Sequence, residues 1–189
     1  VDFYNSLHPG DLITGEEKEW IVQGSILEDT APRWINHFYD PVYGIGWSGD
    51  HAGALEKELV QYFSKIALYP GDAVSSLNWL HNEKLQERYS IYQGNRTWER
   101  AVREMADGNP EEAYKTLGFV LHLIEDASVP AHTRDDTHAH ALRELTGDYG
   151  SPYEEYTKKW TRQNIEESGI VDELHEDGVT ALRKQSVDE

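Results

Sequence analysis

The chain has 189 residues, with 17 Lys and Arg against 35 Asp and Glu, and no cysteine. Its formal charge of −18 argues against electrostatic binding to nucleic acid or anionic membranes and suits a protein that binds cations. Disulfides, thiolate metal sites and cysteine nucleophiles are excluded, and no apolar run reaches the ~18 residues needed to span a membrane.

Strand signals are scarce and helical ones recur, and the six Trp and eleven Tyr favour a packed globule over disorder. The chain starts at Val1 without methionine or signal peptide, as a processed or trimmed chain would. In EEKEWIVQGSILED, Trp20, Ile21, Ile26 and Leu27 recur near helical spacing and predict a helix over Glu16 to Asp29. The following TAPRWINHFYDPVYGIGWSGDHAG is rich in Gly, Pro and Asp and reads as a long ordered loop. A helix is expected around Ala54 to Lys65, and DAVSSLNWLHNEKLQERY is polar enough for a surface helix. NRTWERAVREMADG predicts an amphipathic helix stopped by Gly108.

The best-marked helix comes next. Asn109 suits its N-cap, Pro110 its first position, and Glu111 and Glu112 the positive end of its dipole. From Leu117 to Ile124 it is apolar nearly all round, which implies enclosure by other helices, and Pro130 is expected to end it. PYEEYTKKWTRQNIEESG predicts a further helix closed by Gly169. With no repeat or low-complexity linker, the pattern is a single multi-helix all-α domain over residues 1–189, with long loops from Thr30 to Gly53 and from Pro130 to Pro152.

The run LGFVLHLIEDASVPAH, Leu117 to His132, sets histidines and an aspartate into an apolar helix. His122 and Asp126 lie four residues apart and meet on one face; Gly118, one turn earlier, leaves space there. His132, His138 and His140 follow, so four of the nine histidines fall within this short stretch. Each histidine alone is an ordinary core residue, but buried ionisable groups need partners. Without cysteine, a zinc ion has only imidazoles and carboxylates to bind it, at ~2.0–2.2 Å, and that ligand set belongs to catalytic sites.

These residues resemble those of the zinc-dependent phospholipases C, whose all-helical, three-metal fold is shared with single-strand-specific zinc nucleases. LGFVLHLIEDASVPAH is similar to the family's metal-binding helix, and NHFYDP (Asn36 to Pro41) to a loop carrying a metal-ligating histidine. GSILED, Gly24 to Asp29, resembles the segment with the catalytic carboxylate, and SPYEE a helix that supplies a glutamate ligand. The resemblance implies that Asp29, His37, His122 and Asp126 hold one zinc, with Asp29 also aligning or deprotonating the attacking water. Glu28 takes that role if the alignment shifts by one residue. Asp126 would bridge to a second zinc, held by His132 together with His138 and Glu154.

The chain departs from this pattern in three places. Where the family shows H-x-x-x-E, SPYEE puts Gly150 at the histidine position, while HALRE offers His140 and Glu144 as rival ligands or as a plain surface pair. The family's N-terminal tryptophan and helix histidine, ligands of a third zinc, have no counterpart in VDFYNSLHPG, where His8 reads as part of a turn. Either residues upstream of Val1 supply that family helix or the third site is absent, so two or three zinc ions are expected. Finally, Trp34 stands near one aromatic position of the family's headgroup pocket, or packs on the core, while Thr30 occupies another.

The implied activity is phosphodiester hydrolysis, with a phospholipid substrate favoured, no stable nucleic-acid partner, and a secreted or periplasmic setting. Asp135, Asp136 and Tyr39 are candidates for fixing the imidazole tautomers. Two alternatives stay open: a single-strand nuclease of the same fold, and a non-catalytic domain stabilised by metal.

Overall fold

The computed structural model describes residues 1–30, 33–47, 58, 73–87, 94–134 and 151–157. The protein is mostly helical; among the described residues no strand forms, and Asp40 and Ile45 make an isolated antiparallel bridge. By contacts the chain divides into residues 1–12 with 152–189, and residues 13–151.

The first unit contains α1 (Asp2–Leu7) and α8 (Pro152–Thr157). Beyond α1, the His8 ring stacks on Tyr4 at 4.2 Å, with Nδ1 3.0 Å from the Tyr4 carbonyl. The turn expected of HPG therefore gives this histidine local partners.

The second unit contains α2 (Gly15–Glu28), a 3-10 turn (Arg33–Asn36), α3 (Ser76–His81), α4 (Glu83–Gln86), α5 (Trp98–Ala106), α6 (Pro110–Asp126) and α7 (Pro130–Thr133). Helix α2 begins with a reciprocal cap: Thr14 Oγ1 accepts from the Glu17 amide, and the Glu17 carboxylate accepts from the Thr14 amide at 2.7 Å. Gly108 ends α5 with φ +79°, a conformation that favours glycine. The segment over Ala54 to Lys65 lies outside the described residues except Glu58, and so does the continuation of α8 toward Gly169.

Helices α2 and α6 touch backbone to backbone. A β-carbon on Gly24 would stand 1.9 Å from the Lys115 carbonyl oxygen, and one on Gly118 2.0 Å from that of Ile21. The room that Gly118 leaves on the His122 face is therefore filled by α2. This contact brings Ser25 of α2 within 3.4 Å of the His122 ring.

Four expectations are corrected. DAVSSLNWLHNEKLQERY is not one surface helix: Asn82 breaks it, caps α4 through its side chain, and leaves Trp79 and Gln86 wholly buried. Helix α6 stops at Asp126, capped by Ala127, and Pro130 opens α7, where its missing N–H costs nothing. Asn109 holds the expected N-cap position of α6, but the side-chain cap expected there is not made, its amide donating to Glu104 instead. The apolar run of α6 is not fully enclosed either, since Phe119, Val120 and Leu123 are buried while Ile124 is 54% exposed.

The loop after α2 folds against the core. Ile35, Phe38, Trp47, Trp79 and Leu123 cluster there, with Trp34 packed beside them, so the packing role weighed for Trp34 is the one it has. Beneath lies a polar knot. Glu28 and Arg33, both without solvent exposure, pair at 2.6 Å, and Arg33 also donates to Gln86 and to the Gly94 carbonyl. Trp79 Nε1 donates to Glu28 at 2.8 Å, and the Arg33 guanidinium lies between the Trp79 and Phe119 rings at 4.9 and 4.8 Å.

Gly118→Ala should lower stability by about 1–3 kcal/mol or more, because backbone, not a flexible side chain, meets the new methyl group. Urea unfolding monitored by circular dichroism measures the loss. Glu28 carries an acid-linked effect. Burial opposes its charge, yet Arg33 and His37 hold its pKa below the ordinary 4.5. Its contribution is present above about that pH and is lost as the pH falls through the depressed native value. Glu28→Gln should therefore cost about 3–5 kcal/mol at neutral pH and flatten the acid limb of the stability profile.

Candidate metal centre

Four segments supply the candidate ligands. Asp29 caps the C-terminus of α2, His37 follows the 3-10 turn, His122 and Asp126 share the last turns of α6, and His132 sits in α7. Backbone bonds fix His37 and His132. The His37 amide donates to the Trp34 carbonyl, and the Tyr39 amide donates to the His132 carbonyl at 3.0 Å.

The side chains converge on one oxygen. Asp126 Oδ2 lies 2.8 Å from His37 Nδ1, 3.1 Å from His132 Nδ1 and 3.4 Å from His122 Nε2. Despite these distances it is a buried atom with no aligned hydrogen bond. The His37 and His122 rings stand 4.7 Å apart, and Phe38 packs on the His132 ring at 5.0 Å. The ligand atoms of Asp29, His37 and His122 also lie within 4.8 Å of one another. Two overlapping sets thus share His37 and His122: Asp29 joins them in one, Asp126 and His132 in the other.

Electrostatics match this crowding. Burial works against a charge on His37, which is only 2% exposed, yet the carboxylates of Asp126 and Glu28 raise its pKa to about 9. Burial likewise opposes charge on Asp126, but His122, His132 and His37 hold its carboxyl far below the usual carboxylate range. Imidazoles and carboxylates turned toward one another in this way form a donor set that a cation could share. Nitrogen and oxygen donors of this kind suit zinc, among other first-row divalent ions.

Of the residues implied by the resemblance, the structure gathers Asp29, His37, His122, Asp126 and His132. His138, with its rivals His140 and Glu144, lies outside the described residues, as do Asp135 and Asp136. Glu154 falls in α8 of the first unit, and its side chain is outside what is described. Glu28 is not a free alternative to Asp29, since both its oxygens are engaged by Arg33 and Trp79. Tyr39 contributes its backbone amide. Ser25, whose Oγ stands 3.4 Å from His122 Nδ1, was not singled out from the sequence. Its position four residues before Asp29 on α2 was the available signal.

Compared with protein-family models, curated proteins and solved structures, the chain finds no match.

Asp126→Asn should weaken zinc uptake by more than the 10–100-fold (order of magnitude) typical of outer partners, because it removes the charge on which three rings converge. Titration with a competing chelator dye measures the change.

Proposed function

We propose that the protein is a zinc-dependent phosphodiester hydrolase, with phospholipid headgroup cleavage as its activity and an all-helical fold like that of the zinc-dependent phospholipases C. One observation carries the reading. Three imidazoles from α6, α7 and the loop after α2 approach a single buried carboxylate oxygen that makes no aligned hydrogen bond. A buried acceptor left in this state fits a bound cation better than a closed hydrogen-bond network.

His37, His122, Asp126 and Asp29 would hold one ion, with His132 and the shared Asp126 oxygen beginning a second site. Zinc, when bound, supplies Lewis acidity toward the phosphate and makes water a stronger nucleophile near neutral pH. The chain's own residues do the rest. Asp29 is exposed at the end of α2, where a carboxylate reaches solvent and substrate, and it takes the proton of the attacking water. Ser25 stands against the His122 ring and Phe38 against the His132 ring, while the Tyr39 amide holds the His132 main chain. The surplus of acidic residues favours a substrate drawn by metal over one drawn by a basic surface.

No helix among the described residues is long and apolar enough to cross a membrane. On this reading the protein meets lipid from the aqueous side, in a secreted or periplasmic setting.

Elemental analysis after mild purification should find two or three zinc ions per chain, and a chelator should abolish release of phosphorylated headgroup from phosphatidylcholine. The same assay run with single-stranded DNA separates the phospholipase from a nuclease of this fold. Zinc without hydrolysis of either substrate would leave a metal-stabilised binding domain, and a chain without zinc would end the proposal. With zinc supplied in excess, Asp29→Asn should lower kcat by about 10²–10⁴, the usual loss for a general base. Turnover at saturating substrate tests it.

A further inference from the structure

We propose that Glu28 is a positioning residue which selects the nitrogen that His37 presents to the metal centre; this rests on the metal reading above and adds a residue outside the ligand set. The His37 ring is held between two carboxylates. Its Nδ1 is 2.8 Å from Asp126 Oδ2, and its Nε2, buried and without a hydrogen-bond partner, is 3.6 Å from Glu28 Oε1. A sub-ångström shift of the ring closes the second gap to a hydrogen bond.

Glu28 has capacity for that bond and little freedom to move. Its Oε2 accepts from Arg33 Nε at 2.8 Å and pairs with Nη2 at 2.6 Å, while Oε1 accepts from Trp79 Nε1 at 2.8 Å. A carboxylate oxygen accepts more than one hydrogen, so Oε1 keeps an acceptor direction for His37. Arg33 is itself clamped between two aromatic rings and tied to Gln86 and the Gly94 carbonyl. The carboxylate is therefore a fixed acceptor. With the Nε2 proton placed there, the Nδ1 lone pair faces Asp126, where His122 and His132 also point. Outer carboxylates of this kind fix the tautomer of a metal-binding imidazole and strengthen it as a ligand.

The test uses the full chain labelled with ¹⁵N in its histidine rings and titrated with zinc alone. Ring chemical shifts should show His37 protonated at Nε2 and ligated through Nδ1. Ligation through Nε2 overturns the assignment while sparing the metal reading; no zinc uptake overturns both. Because Glu28→Gln is expected to be less stable, its zinc affinity is measured at a temperature where circular dichroism shows it folded. Affinity should fall about 10–100-fold, with His37 signals of both tautomers. Unchanged affinity and a single Nδ1-ligated form in that variant would show that Glu28 only supports the core.

Discussion

The arrangement of the second unit depends on a carboxylate and a guanidinium that meet out of reach of water. Glu28 and Arg33 are only five residues apart, at the end of α2 and the start of the following turn, and neither is exposed. Two charges buried this deeply are tolerable only with near-complete hydrogen bonding. That requirement recruits Trp79, Gln86 and the Gly94 carbonyl from distant parts of the chain. Satisfying the pair thus fixes where the chain leaves α2, and His37 and Phe38 follow directly from that exit. The histidine cluster is built on top of a polar knot rather than on a purely apolar core.

The contact between α2 and α6 has a similar logic at the level of backbone. Glycines at 24 and 118 let the two helices approach until the carbonyls of Lys115 and Ile21 occupy the space of the missing methyl groups. This approach puts Ser25 and Asp29 of α2 within reach of His122, four residues along α6 from Gly118. A wider separation would leave one carboxylate and one imidazole on helices too distant to share an ion.

Much of this was legible in the residues. Periodicity locates α2, α5 and α6, and the i, i+4 spacing of His122 and Asp126 marks one face of a helix. His37 joins them in space 85 residues earlier in the chain, and there the resemblance of NHFYDP, not spacing, pointed to it. Less legible was the inward turn of polar side chains. Trp79 and Gln86 sit in a segment that reads as solvated, because nothing local shows that Glu28 and Arg33 require their hydrogen bonds. Pro130 misled for a different reason. A proline stops a helix from within but also starts one, and here the chain turns three residues earlier and uses it for the second purpose.

The bond between the Tyr39 amide and the His132 carbonyl ties a loop to a helix of four residues. Tyr39 lies two residues beyond His37, so two imidazoles from separate segments are joined through a short stretch of main chain. Main-chain movement at either histidine is thereby opposed at the other. On the proposed metal reading, an ion held by one of them would also brace the main chain that carries the other.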